Sequence, residues 1–377
     1  MSSSTPAYYN ADAVRQVLSW PLVNRAVETA LVAIVKQDAE THPQSTSFAC
    51  QPKRSFTACG KEPGRILFTM PAYVGNYSLE SPKSPGDAQQ SRSTLACKLV
   101  TSFRENPARD PPLPSIHAHV LLFDNQTGQL SAIMEGTDLT TWRTVSASLV
   151  ATKYLYFRRF GSQAELERSI NVAIVGCGVQ GQLHAAAFCA NFRVKQLNLY
   201  NRTLAKAQVL ADELQRTLDT ESETQVKACS SAHEACQDAD VICIATYAKE
   251  SVIQFADLKA KQGVHINAVG AGEVHFSELA PDIYHQAKVY VDCYTNAEAE
   301  LVGLPAPITA EVGQIILSEN YPKETEITIF QSMGAFLLSL LNYMTISVFF
   351  KVILKFTSHC FYLRHGLGGR LCGPGGS

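Results

Sequence analysis

The chain has 377 residues, 46% of them hydrophobic and 18% charged, and a formal net charge of −2 at pH 7. It is too apolar to be disordered and long enough for two domains. Nothing in the near-neutral charge suggests a nucleic-acid partner or an anionic membrane, so any basic site must be local. The eleven cysteines are odd in number, with no C-x-x-C pair and no His pair at zinc-ligand spacing. They read as reduced thiols in a cytoplasmic protein, with no metal site. The first twenty residues lack a basic stretch followed by an apolar core, so no signal peptide is expected.

Between Asn10 and about Lys36, Val14, Val17, Leu18, Leu22, Val27, Leu31 and Ile34 recur at helical spacing, with Asn10 or Asp12 as cap. From Phe48 to about Phe103 short apolar runs such as Arg65–Met70 and Leu95–Phe103 read as strands, interrupted by a polar loop at Leu79–Ser93. Ala118–Asp124 and Gln129–Gly136 form a hairpin turning at Gly128. Thr141–Phe157 has helical character. Six strand candidates then alternate with helical patterns: SINVAIVG, LNLYN, VKAC, DVICIAT, HINAVG and KVYVD. Such alternation means a parallel sheet with crossover helices. The fold class is therefore α/β: a doubly wound Rossmann sheet over 145–307, plus a second α+β domain over 1–144 for substrate binding and dimerisation.

The run SINVAIVGCGVQGQLHAAAF carries the most specific motif. A buried strand enters Gly176-x-Gly178-x-x-Gly181 and leaves as a helix. The first glycine permits a tight turn, the second lets backbone approach a pyrophosphate, and the third lets helix and strand pack closely. The helix N-terminus then receives the anion. Val179 and Gln180 belong to the same cofactor-binding loop. At the end of the second strand, where an NAD enzyme places a carboxylate on the ribose, the chain reads Asn201, Arg202, Thr203, with Lys206 one turn on. Arg202 can pair with a 2′-phosphate, so NADPH is expected over NADH.

Several segments, in order, resemble the ornithine cyclodeaminase and mu-crystallin family in its ketimine reductase form. They are Gln51–Ser55, Thr94–Phe103, Ser115–Leu155 with Arg143-Thr144 and Ala151-Thr152-Lys153, the glycine loop, YNRT, His265–Ala271, Val289–Asp292 and Glu326–Gly334. The resemblance runs from Met1 to Gly334. It implies that Arg54, Lys98 and Arg143 hold a substrate carboxylate, that Phe103 lines the pocket, and that Glu300 contacts substrate. Arg143 and Thr144 would also touch the cofactor, and a homodimer would form. Lys98 sits in an apolar strand, where a buried lysine requires a partner. His119, where the family often has Thr, is either a proton donor to the imine nitrogen or a hydrogen-bonded structural residue. Lys98 and His119 are the catalytic candidates.

Cyclodeaminases of the family look to use an Asp after the HxNxxG strand as base; here that place is Gly272, with Glu273 one residue later. Without the base, imine hydrolysis is poorly served, which points to reduction of a cyclic ketimine carboxylate. Two alternatives stand: an ornithine cyclodeaminase, and an NADP-regulated thyroid hormone-binding or lens-type structural protein. The stretch 308–334 is expected to complete the first domain. Beyond Gly334 the resemblance stops, and 335–377 is an apolar run followed by a Gly-rich tail. The abrupt junction favours an alternative or mis-spliced C-terminus; a membrane anchor within 335–356 and a divergent buried helix are the other readings.

Overall fold

The computed structural model describes residues 5–35, 48–60, 64–79, 91–218, 223–258, 263–270 and 276–334. The segment 335–377, most of the expected polar loop, and Gly272 and Glu273 lie outside these residues.

The first unit contains β1 (Ala7–Tyr9), α1 (Ala11–Arg15), α2 (Trp20–Val35), β2 (Phe48–Cys50), β3 (Ser55–Ala58), β4 (Arg65–Tyr77), β5 (Arg92–Phe103), β6 (Ile116–Phe123) and β7 (Leu130–Glu135). The helix expected from Asn10 to Lys36 is divided. Asn10 caps α1 by accepting from the N–H of Ala13 at 2.9 Å. Pro21 has no N–H to return to the preceding turn, so it cannot continue α1 and instead stands in the first turn of α2. The strands form a mixed sheet in the order β1-β7-β6-β5-β4-β2, with β3 also on β4. Only β1 runs parallel to its neighbour. β4 continues through Pro71, a residue that reads as a strand breaker. On the outer edge of β4 the β3 ladder ends at Thr69 and the β2 ladder begins at Tyr73, so Pro71 falls between them where no donor is required. The expected β6–β7 hairpin turns at Gly128, with φ of 72°.

One face of this sheet is apolar and covered. Met70, Ala72, Val74, Ala96, Val100, Ala118, Val120, Leu122, Ala132 and Met134 pack there with α2 and with α3 (Thr137–Leu155). The other face, with Leu67, Tyr73, Leu95, Leu99, Leu121 and Ile133, remains half-buried.

The second unit follows α3 with α4 (Ala164–Glu167), β8 (Ile170–Val175), α5 (Val179–Asn191), β9 (Val194–Tyr200), α6 (Leu204–Thr217), β10 (Gln225–Cys229), α7 (Ala232–Cys236), β11 (Val241–Ile244), β12 (His265–Ala268), α8 (Pro281–Tyr284), β13 (Ala287–Val291), α9 (Tyr294–Glu300), β14 (Ile308–Glu311), α10 (Val312–Ser318) and β15 (Ile327–Gln331). All six expected strands are present. The sheet is wholly parallel, in the order β10-β9-β8-β11-β12-β15-β13-β14. Its first five strands have the doubly wound 3-2-1-4-5 arrangement, whose direction reverses between β8 and β11. The stretch 308–334 divides: α10 packs on α2 and α3, while β14 and β15 join the second sheet. The boundary expected at 145 falls inside α3, which contributes to both cores. The nine cysteines among the described residues form no disulfide. No helix among them is long and apolar enough to cross a membrane.

A buried hydrogen-bond chain joins α3 to the second sheet. Arg159 donates to the Thr328 hydroxyl at 3.0 Å, and that hydroxyl meets His265 Nδ1 at 2.9 Å. His265 Nε2 reaches Asn267 Oδ1 at 3.3 Å, and Asn267 donates to the Thr152 hydroxyl at 3.0 Å. On α5, His184 Nδ1 meets the Gln180 carbonyl at 2.8 Å and Nε2 meets Ser148 Oγ at 3.0 Å. Burial, the main cause in both, pushes His184 down to about 4 and His265 to about 3. Both are neutral when folded, whereas an unfolded histidine titrates near about 6.5. Their contribution is therefore fully present above about pH 6.5 and is lost as pH falls toward 4 and then 3. The unfolding free energy from urea titrations between pH 7 and pH 5 should decline, by up to about 2.7 kcal/mol per pH unit for two protons. A His184→Gln variant should halve that slope; equal slopes would mean that His184 is not held neutral.

Candidate active site

The cofactor groove is built where β8 meets α5. Gly176 has φ of 102°, and a Cβ there would stand 2.6 Å from the Ala245 carbonyl, so only glycine fits. A Cβ on Gly181 would collide with the Gly176 carbonyl, which is the close helix–strand packing expected of the third glycine. Gly178 precedes the first residue of α5, and nothing lies within 4 Å of its missing side chain. Backbone N–H groups at the helix start thus face open space suited to an anion.

The groove encloses about 360 Å³, lined by Gly176, Gly178, Tyr200, Asn201, Arg202, Thr203, Lys206 and the 245–248 segment with Val252. Two cations and no carboxylate line it. Arg202, Thr203 and Lys206 are exposed into it. Asn201 is committed to the loop: its Oδ1 accepts the Cys177 N–H at 3.1 Å and its Nδ2 donates to the Thr203 carbonyl at 3.1 Å. Val179 is exposed on the first turn of α5. Neither it nor Gln180 lines the groove.

A cluster of cations comes from the first unit and α3. Lys98 on β5 is 2% exposed and lies in the covered apolar row, paired with Met70 and Val120. Its ammonium is pushed well below the usual lysine range, first by burial and then by Arg143 and Arg54. Arg143 on α3 is buried, with Nη2 3.2 Å from where a side chain on Gly334 would begin. Arg54, just before β3, pairs with Glu300 at the end of α9. Four of the expected substrate contacts, Arg54, Lys98, Arg143 and Glu300, therefore converge.

His119 and Phe103 do not join them. His119 pairs with Leu99 and Glu135, and Phe103 with Arg65. Side chains alternate along a strand, so both stand on the sheet face opposite Lys98. On β5 it is Ser102, four residues from Lys98, that shares the clamp face. Thr144 is buried and gives its hydroxyl to the Thr140 carbonyl at 2.9 Å. Three further residues shape the cleft without having been expected. Tyr247, 52% exposed, lines the groove, and Arg104 from the first unit lies 5.6 Å from its ring centre. Glu278 backs the same wall. The rule that ligands sit past the C-terminal ends of parallel strands could have found Tyr247; no local pattern marks Glu278 or Arg104.

Residues 84–337 match the family model described as the ornithine cyclodeaminase/mu-crystallin family. The chain belongs to the ornithine cyclodeaminase/mu-crystallin family. The rat protein named ketimine reductase mu-crystallin is 32% identical over 87% of this chain and 92% of its own length. A Delta(1)-pyrroline-2-carboxylate reductase of Bacillus cereus (strain ATCC 10987 / NRS 248) is 33% identical over 64% of this chain and 72% of its own length. Among solved structures, the Thermococcus litoralis Delta(1)-pyrroline-2-carboxylate reductase, in complex with NADH and L-proline, shares the fold. It has a TM-score of 0.68 and 24% identity, and the match covers 97% of this chain and all of that one.

The cation cluster predicts linked protonation. An entering carboxylate stabilises the charged form of Lys98, so binding a saturated cyclic imino acid should take up a proton. Calorimetry in buffers of differing ionisation heat should register that uptake, and affinity should fall as pH rises through the liganded Lys98 titration. In Lys98→Met the uptake should vanish; undiminished uptake there would assign it to another group.

Proposed function

We propose that this chain is an NADPH-dependent reductase of cyclic ketimine carboxylates, converting C=N to the saturated imino acid. The observation that carries the reading is the convergence of Lys98, Arg143 and Arg54, from separate elements, in a chain that also forms a dinucleotide groove. Relatives named for ketimine and pyrroline-carboxylate reduction support it. The bound dinucleotide supplies hydride to the imine carbon. The residues of this chain bind and orient. Arg143 offers a planar fork to the substrate carboxylate, and Lys98 adds a point charge whose value rises as the anion enters. Arg54 is held by Glu300, and Glu300 in turn supplies a negative charge beside a protonated imine. Burial of the clamp excludes water, which strengthens each of these interactions.

Arg202 and Lys206, with no carboxylate opposing them, favour a 2′-phosphate on the cofactor. The half-buried outer face of the first sheet is the surface through which two copies would pair. Leu121→Glu on that face should convert a dimer to a monomer in light scattering, and a wild-type monomer would end this reading of the face.

Turnover should appear as loss of reduced-nicotinamide absorbance with a cyclic ketimine carboxylate. Arg143→Lys should lower kcat/KM by about 10²-fold, because a point charge cannot replace a bidentate fork. Arg202→Ala should raise KM for NADPH about 10-fold and leave KM for NADH nearly unchanged. If cofactor bound and no ketimine were reduced, the ligand-binding role would replace the reductase. Ammonia released from ornithine would instead indicate a cyclodeaminase.

A further inference from the structure

Glu278 is 2% exposed and lies behind the wall of the cofactor groove. Its Oε1 accepts the backbone N–H of Thr246 at 2.7 Å and also the Thr246 hydroxyl. Its backbone carbonyl accepts from the N–H groups of Val252 and Ile253. Thr246 and Val252 both line the groove, so one residue grips that wall at two points. On its other side the carboxylate lies against Gly270, two residues after β12, where a Cβ would overlap Oε2. The segments following β11 and β12 are thereby set against a single side chain. In a sheet of this order, those two strands carry the nicotinamide half of the cofactor cleft, and β8 and β9 carry the adenosine half.

Burying a carboxylate is costly unless hydrogen bonds meet its charge. Here the bonds fall on a cleft wall rather than between core strands. One carboxylate oxygen accepts both bonds, so the side chain holds the Thr246 N–H and hydroxyl together.

We propose that Glu278 is a positioning residue for hydride transfer, holding the backbone of Thr246 against Gly270 and so fixing the wall on which the nicotinamide end of the cofactor rests. This rests on the reductase reading above. Glu278 acts through Thr246 and touches neither substrate nor cofactor.

The test compares Glu278→Gln and Thr246→Val with the wild-type chain. Binding would be read by isothermal titration calorimetry, which needs no chromophore at the groove. Affinities would be measured for NADPH and for 2′-phospho-ADP-ribose, which lacks nicotinamide, alongside kcat and KM with a cyclic ketimine carboxylate. Both variants should lose about 10-fold in kcat and in NADPH affinity, with affinity for the fragment and KM for the ketimine unchanged. A Glu278→Gln protein with wild-type kcat and NADPH affinity would overturn the proposal. So would equal losses for NADPH and the fragment, which would mark a general structural role. If Glu278→Gln did not fold, Thr246→Val alone would decide, since it removes one of the two bonds and leaves the carboxylate in place. Absence of turnover in the wild-type chain would remove the reductase reading, and the comparison of dinucleotide with fragment would still decide the role of Glu278.

Discussion

The structure depends on α3 being buried on nearly every side. Ala147, Val150, Ala151 and Tyr154 form a stripe toward the first core, while Val145 and Leu149 face the second. A helix shared by two cores has no solvent face on which to place polar side chains. Each polar group along it must be met internally, at a cost of about 1–3 kcal/mol if it is not. The chain satisfies them one neighbour at a time. Ser146 donates to Asn24 of α2 at 2.7 Å, Ser148 meets His184 of α5, Thr152 accepts from Asn267 of β12, and Thr144 turns back to its own helix. These bonds fix the rotation of α3 about its axis, and that rotation aims Arg143 at the cleft.

The cation cluster is the counterpart of that rigidity. Lys98 stands in a row that is otherwise Ala96, Val100, Val120 and Met70, on the covered face of a sheet. Two guanidinium groups nearby add repulsion to desolvation, and both lower the tendency of Lys98 to carry charge. One acid, Glu300, is delivered from α9 of the other unit to Arg54. Cations held this close in a buried place are complementary to an anion. An anion entering among them would recover the energy spent on assembling them, which is the logic of a preorganised site.

What was legible in the sequence follows from how far each signal reaches along the chain. β8, β11 and β12 are buried on both faces and so appear as unbroken apolar runs. The glycine loop is legible because its constraints act within six residues. Lys98 stood out as a charge in an apolar strand. Phe103 and His119 were misplaced by parity: five residues along one strand, or a one-residue step in register across a pair, exchanges the faces of a sheet. Glu278 was illegible because its partner Thr246 is 32 residues away and nothing in SEL distinguishes it from a surface glutamate. β15 shows the same limit at the level of topology. It is the last described strand, yet it inserts between β12 and β13.

That insertion bears on how the cleft can work. The chain leaves the first unit through α3 and returns to it with α10 packed on α2 and α3, and β15, the last described strand, lies inside the second sheet. Gly313 of α10 is pressed so close to the Leu31 carbonyl of α2 that a side chain there would collide with it. The two units are thus tied at both ends of the second sheet's sequence, and α3 is packed into both cores. A wide hinge opening would break the buried chain from Arg159 to Thr152. Access to the cleft must therefore come from side chains and loops at its mouth. Arg104 and Tyr247, one from each unit and both exposed, meet there with the guanidinium 5.6 Å from the ring centre, so they can rearrange without disturbing either core.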